Sequence, residues 1–328
     1  MSKRFWQAVG MAGGAAVALY WYAHRVERAR VTLERFTLPV RAEGIPPAGL
    51  TLLHLSDFHF RARDRAQETR LARLNALLAR EQYDILALTG DLIHDMDGLP
   101  AALDFLRGLR PTLAAFCVPG NRDYWGSQFR AVLGTAEERA GLSPVGHARL
   151  AAGRIGRMLA AFAGNQRGAL RIRQHDSAAV LSGLAGLGIQ PLLNRAARVT
   201  AQDGELWLAG VDDLNNGRPD LDAALRDVRP GAALVLLSHN PDVWLDERAR
   251  RARLILAGHT HGGQIRLPLL GAWYRQGTHL PRGQAAGWFH EGQSAMYVTR
   301  GLGESFPYRF GAPPQAALIR LTRDESEA

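Results

Sequence analysis

An α/β fold with layered sheets is predicted for this chain of 328 residues by three observations. Short apolar runs alternate with amphipathic helical patterns. Most of the runs end in polar clusters, where ligands gather in folds of this class. Apolar residues make up 47% of the chain, enough for a sizeable core in one large or two small domains.

The elements follow in order. LTLLHLSD (50–57) reads as a buried strand, ETRLARLNALLAREQ (68–82) as a helix with leucines at helical spacing, and YDILALTGD (83–91) as the next strand. A helix from Leu99 to Arg110 leads to the strand AAFCVPGN (114–121). Beyond a gap come the strand ELWLAGVDD (205–213), a helix from about Asp220, the strand AALVLLSHN (232–240), a helix near Pro241 to Arg251, and the strand RLILAGHTH (253–261). The gap, about 128–175, is read as an insertion; it holds eight arginines against two glutamates and an amphipathic piece from Ala148 to Phe162. Such a piece suits either a solvated helical pair or a lid whose apolar face meets acyl chains while its arginines meet phosphate.

Ahead of the body, Phe5 to Ala23 (FWQAVGMAGGAAVALYWYA) has the length of one bilayer crossing and closes on an aromatic cluster, Tyr20, Trp21 and Tyr22. Lys3 and Arg4 precede it, and Arg25, Arg28, Arg30, Arg35 and Arg41 follow, a bias that places the body on the cytoplasmic side of a bacterial inner membrane. A cleaved signal peptide is the rival reading, although no small-residue cleavage site follows the apolar run. The expected organisation is an anchor at 1–24, a juxtamembrane linker at 25–49, a catalytic domain at 50–323 carrying the insertion, and a disordered tail at 324–328.

The net charge is +9, and nearly all basic residues are arginine, Lys3 being the one lysine. Coding bias or phosphate-bearing partners account for this. No dense basic run with interleaved aromatics is present, so nucleic acid is not the expected partner. The single cysteine, Cys117, excludes an intramolecular disulfide and reads as a small buried hydrophobe.

Taken one at a time the polar clusters are ordinary; in order they are specific. They are SDFH with Asp57 and His59, GDLIH with Asp91 and His94, GNRD with Asn121, SHN with His239, and GHTH with His259 and His261. Each ends a predicted strand, so all can converge on one sheet edge. Imidazole and carboxylate donors without thiolate suit Mn, Fe or Zn in a catalytic rather than a structural site. Seven ligands are too many for one ion, whereas a carboxylate shared between two divalent metals would use them all.

The ordered set D-x-H, G-D-x-x-H, G-N-x-D, H and G-H-x-H resembles the calcineurin-like metallophosphoesterase family from Leu50 to about Leu321. The tail GHTHGGQIRLPLLG followed by YVTRGLGESFPYRF resembles its membrane-associated bacterial branch. The resemblance implies a four-layer αββα sandwich and two divalent metal ions. Asp57, His59, Asp91 and His261 would hold one ion, and Asp91, Asn121, His239 and His259 the other. It also implies water as the nucleophile, with no protein nucleophile needed. A member that keeps the fold as a binding scaffold is the alternative of another class.

Many members of the family read G-N-H where this chain has Arg122. Arginine cannot give up its proton, but it offers phosphate oxygens a planar two-pronged donor. Losing an acid matters little when the leaving group is a phosphate, whose second pKa is about 6. The substitution therefore favours a pyrophosphate over an alkyl ester; the rival is a surface Arg122 with His94 or another group as acid. The G-N-R-D variant further resembles the metallophosphoesterases that cleave UDP-2,3-diacylglucosamine to UMP and a diacylglucosamine 1-phosphate in lipid A synthesis. That implies a nucleotide-linked lipid substrate and a membrane as partners; a broad phosphodiesterase or phosphatase on other lipid or envelope phosphoesters is the second possibility. Asp212 and Asp213, of GVDD, could orient a metal-bound histidine, although a strand-end turn explains them equally well; His94 and Asp123 are further candidates to stand behind the metal ligands.

Overall fold

The computed structural model describes residues 14–324, apart from 16, 43, 202, 268, 273–276 and all but five positions between 127 and 172. Twelve strands form two six-stranded sheets. They are β1 (Thr32–Val40), β2 (Leu50–Leu55), β3 (Ile85–Thr89), β4 (Ala114–Val118), β5 (Ile189–Pro191), β6 (Arg195–Ala201), β7 (Gly204–Gly210), β8 (Leu234–Leu237), β9 (Leu254–Ala257), β10 (Gly287–Glu291), β11 (Ser294–Val298) and β12 (Gln315–Arg323). The first sheet runs β1-β12-β2-β3-β4-β5 and the second β10-β11-β9-β8-β7-β6. In each, a parallel centre (β2 to β5; β7, β8, β9 and β11) is flanked by an antiparallel pairing, β12 on β2 in the first, β10 on β11 and β6 on β7 in the second.

Alternation along the strands decides the layers. Leu52, Ile85, Phe116 and Ile319 of the first sheet meet Leu206, Val235, Leu254 and Tyr297 of the second in one core between the sheets. The opposite side chains, Leu53, Leu86, Cys117 and Leu318, pack under the helices α1 (Arg65–Leu78), α2 (Leu99–Leu106) and α4 (Ser177–Ala185). Cys117 is buried there, as expected of a small apolar residue, and burial pushes its thiol pKa up. On the far side of the second sheet Leu236, Ile255 and Met296 are covered by the short helix α5 (Leu221–Leu225) and by 3₁₀ turns. The layers thus run helices, sheet, sheet, and a thinner outer cover.

Three differences from the sequence reading have local causes. The stretch Pro241 to Arg251 is not one helix but two 3₁₀ turns, Pro241–Leu245 and Glu247–Arg251. Asp246 between them is extended (φ −91°, ψ 119°) and its carboxylate caps the second turn at Arg248 N, so the side chain competes with the helical ladder. Helix α1 begins at Arg65, earlier than the leucine spacing indicated, because the Asp64 side chain accepts from Ala66 and Gln67 N. Residues 32–40, read as linker, are instead edge strand β1, in register with β12 from Thr32 opposite Gln315 to Val40 opposite Arg323.

Residues 17–21 are helical and run on into a π-helical turn, Tyr22–Val26. Among the described residues no helix is long and apolar enough to cross a membrane. Residues 5–13 and 16 of the expected crossing, most of the insertion 128–175 and the tail 325–328 lie outside the described residues.

Candidate metal centre

The loops that follow β2, β3, β4, β8 and β9 meet at one edge of the sheet pair and carry the seven candidate ligands. Five of them, Asp57 (φ 54°), His59 (50°), Asp91 (50°), His259 (71°) and His261 (51°), have left-handed backbone. That conformation costs a non-glycine residue free energy and concentrates at functional sites. It turns consecutive side chains inward from a chain that has just left a strand. Glycines make room beside them: a Cβ on Gly120 would collide with Asp91, and one on Gly258 with Ser56 and Asp57.

Two groups of donors result, sharing Asp91: Asp57, His59, Asp91 and His261, and Asp91, His239 and His259. In the first, His59 Nε2 and His261 Nε2 stand 3.0 Å apart, His59 Nε2 is 3.5 Å from Asp91 Oδ2, and His261 Nε2 is 3.5 Å from Asp57 Oδ1. In the second, His239 Nε2 lies 3.1 Å from His259 Nδ1, 3.3 Å from Asp91 Oδ1 and 3.2 Å from Asn121 Oδ1. Metal–ligand bonds of about 2.0–2.2 Å put neighbouring donors about 3.0–3.5 Å apart. The donor set therefore fits the size and chemistry of two divalent ions.

Electrostatics point the same way. Burial holds His59 and His261 well below the usual imidazole pKa, against the pull of Asp91, so both keep a free lone pair. His239 is also penalised by burial, but Asp91, Asp57 and Asp213 outweigh that and raise it to about 10. Without a metal, a proton on His239 thus supplies the positive charge that the buried carboxylates require; a cation there would replace it. The ring is aimed by a donated hydrogen bond from Nδ1 to the Thr89 carbonyl at 2.7 Å, which turns Nε2 toward Asp91. Burial pushes Asp57 up to about 6, and the His259 main-chain N–H bridges both of its oxygens at 3.1 and 3.0 Å.

Arg122 belongs to a single helical turn, α3 (Asn121–Tyr124), and is half-buried beside both groups. Its N–H donates to Asp91 Oδ1 at 2.7 Å and its carbonyl accepts from His175 Nδ1 at 2.9 Å. Its charge, acting with burial, depresses His59 and His94. His94 lies beside His59, ring centroids 6.1 Å apart, and contacts the Arg61 guanidinium. Burial, Arg61 and Arg122 lower its pKa to about 2. A ring held neutral in this way is a poor proton donor, which counts against His94 as the acid.

Asp123 and Asp212 hold the loops that carry the candidate ligands rather than the ligand side chains themselves. Asp123 accepts from Leu92 N (2.9 Å), Ile93 N (3.2 Å) and Gly120 N (2.8 Å), clamping the loop after β3 to the loop after β4. Asp212 accepts from the Tyr124 hydroxyl at 2.6 Å and from Arg218 N at 2.7 Å, tying α3 to the loop after β7. Of the GVDD pair it is Asp213 that acts on the site, through its charge on His239 and through a turn at Asn215 and Asn216 that brings Asn216 Nδ2 to the Asn121 carbonyl. His175, the partner of Arg122, carried no motif signal.

The chain matches the family model for calcineurin-like phosphoesterases over residues 50–263. It is 27% identical to the metallophosphoesterase YkuE of Bacillus subtilis over 321 residues, 96% of this chain and 92% of that protein. It is 26% identical to the UDP-2,3-diacylglucosamine pyrophosphatase LpxG of Chlamydia trachomatis over 325 residues, 93% and 94% of the two chains. The phosphodiesterase YaeI of Escherichia coli is 31% identical over 138 residues, 42% of this chain and 49% of YaeI. A match that spans the ligand-bearing strands from β2 to the turn at His261, together with an Asp/His cluster able to bind metal, makes this chain a member of the calcineurin-like phosphoesterase family and a metallophosphoesterase-class hydrolase.

Proposed function

We propose that the protein hydrolyses the pyrophosphate of a nucleotide-linked lipid at a membrane, taking UDP-2,3-diacylglucosamine to UMP and 2,3-diacylglucosamine 1-phosphate. The observation that carries this reading is Arg122, fixed by its own main chain on Asp91 and by His175 at the rim of both donor groups. An arginine there can grip and orient a departing phosphate with two parallel hydrogen bonds, and a phosphate needs no proton to leave. The neutral state of His94 favours the same class of leaving group. The chlamydial pyrophosphatase, similar over nearly the whole chain, supports the substrate.

In this reading Asp57, His59, Asp91 and His261 hold one divalent ion and Asp91, Asn121, His239 and His259 the other, with manganese the first choice and iron or zinc accommodated by the same donors. When bound, the pair activates water and neutralises charge on the phosphoryl oxygens. His239 is held in the ligating tautomer by Thr89, and Asn216 and Asp213 steady Asn121 from behind. The segment 5–23 anchors the chain in the bacterial inner membrane with its body in the cytoplasm.

Phosphorus NMR of the products formed from UDP-2,3-diacylglucosamine by the detergent-solubilised protein with Mn²⁺ tests the proposal. Metal-dependent UMP and lipid monophosphate, lost on Asn121→Ala, are expected. Intact nucleotide lipid alongside turnover of an activated aryl phosphodiester would discard the substrate and leave the broader diesterase reading, which the partial likeness to YaeI favours.

A further inference from the structure

Just beyond His261 the chain makes a small hairpin, Arg266–Leu267 against Gly271–Ala272, with Leu269 and Leu270 in the turn before its second strand. Leu269 there is 106% exposed and Leu270 69%. Leu269 also has left-handed backbone (φ 66°), which a bulky side chain rarely adopts. Folding thus accepts backbone strain in order to hold an apolar side chain out into solvent, the reverse of what core packing asks.

The hairpin is continuous with the N-terminal segment. Ile265 bridges to Phe310, and Arg266 N donates to the Phe310 carbonyl at 2.7 Å. The Phe310 ring packs edge-on against Tyr22, centroids 6.5 Å apart. Gln264 Nε2 donates to the Phe306 and Tyr308 carbonyls, both at 2.8 Å, and Tyr308 packs against Tyr20 and His24. Val17, Leu19, Tyr20 and Trp21 on that segment are exposed as well, and thirteen further residues, mostly apolar, precede Gly14. Exposed Arg25 and Arg30 follow the aromatic cluster. Apolar tips beside Trp and Tyr, backed by arginine, are the composition that bilayer interfaces select.

We infer that the Leu269–Leu270 hairpin is a second membrane contact, which dips into the surface of an anionic phospholipid bilayer beside the N-terminal segment and so sets the metal centre against the headgroups. The inference rests on the membrane placement proposed above. Its consequence is that His261, Gln264 and the hairpin form one short unit, so lipid contact is made within a few residues of the donor groups. A lipid-borne phosphate then reaches the site without leaving the bilayer.

The test uses the full chain with Leu269→Cys, labelled with an environment-sensitive fluorophore; Cys117 is buried and stays unlabelled. The protein is reconstituted with vesicles of phosphatidylethanolamine and phosphatidylglycerol. A blue-shifted emission, quenched by nitroxide on the acyl chains, is expected. Protein that floats with the vesicles but keeps water-like emission at 269 would overturn the hairpin contact and leave the anchor standing. Protein that does not float with them would overturn both. A blue shift that needs only high protein concentration and no lipid would place a second copy on the hairpin instead, and would sink the inference. In a second variant, Leu269→Ser with Leu270→Ser, turnover of nucleotide lipid in vesicles should fall tenfold or more, since withdrawing even one of the two leucines accounts for about that factor, with turnover of a soluble aryl phosphodiester unchanged. An equal fall on both substrates would also contradict it, and the fluorescence result stands whichever substrate the site prefers.

Discussion

At the scale of single residues the proposed function divides the site into groups that bind, groups that aim and one group that discriminates. Asp91 is common to both donor sets, so Asp91→Asn should remove both ions together. Metal content by mass spectrometry should fall from two per chain to below one, and activity should fall further than the ~10–100-fold typical for losing an outer partner of a metal ligand. Arg122 is the residue proposed to discriminate between leaving groups. Arg122→His restores a transferable proton, and a positioned general acid is worth about 10²–10⁴-fold where the leaving group needs one. The ratio of alkyl diester to pyrophosphate turnover should therefore rise roughly tenfold or more, and an unchanged ratio would show that Arg122 has no part in leaving-group choice. The seven candidate ligands were legible in the sequence because each motif sits at a strand end and strand ends converge. His175 was not: its contact with the Arg122 carbonyl joins positions 53 apart with no motif around the histidine. GVDD pointed to both of its aspartates, but which of them faces the site depends on the direction the loop turns, which the motif does not carry.

At the scale of elements, loops rather than strands carry the precision. Asp123 holds three main-chain N–H groups of two loops, against burial and the nearby Asp91 charge, which push its pKa up. Asp123→Ala would leave those amides buried without acceptors, each costing about 1–3 kcal/mol. Urea denaturation should show a loss of at least that size, and metal affinity should weaken with it because the Asp91 loop loses its clamp. A loss under about 0.5 kcal/mol would mean that the loops hold each other without Asp123, the range of an ordinary surface change. Periodicity found the inner strands readily, since β2, β3, β8 and β9 are nearly continuous apolar runs. It missed β1, whose burial alternates through TLERFTLPV on a sheet edge and whose charged residues read as linker. It overran at Pro241 to Arg251, where Asp246 caps a new turn and apolar spacing says nothing about capping.

At the scale of the whole molecule the N-terminal segment and the loop after β11 are locked together beside the site. Glu304, fully buried, receives Arg28 Nε at 3.0 Å and Arg70 Nη1 at 3.0 Å, joining the segment before β1 to helix α1. Arg309, also buried, donates to the carbonyls of Ala312, Arg300, Gly301 and Gly303 and lies 3.5 Å from His261 Nδ1. Glu304→Ala leaves two buried guanidinium groups without their carboxylate, a change that costs about 3–5 kcal/mol. Its expected signature is a lower thermal midpoint together with faster tryptic cleavage at Arg25 and Arg30. Equal cleavage in variant and parent would show that the segment is held by its aromatic contacts alone. Chelation should act on the same scale: stripping the ions leaves Asp57, Asp91 and Asp213 crowded around His239, and about 2.7 kcal/mol of linkage stability is lost relative to metal at a hundredfold excess over its dissociation constant.

The claim on which these expectations depend is a pair of metal sites bridged by Asp91. Anomalous diffraction from crystals of the Mn²⁺-loaded protein tests it most directly. The account predicts two peaks, one bonded to Asp57, His59, Asp91 and His261, the other to Asp91, Asn121, His239 and His259. A single peak, or two that do not share Asp91, would contradict it.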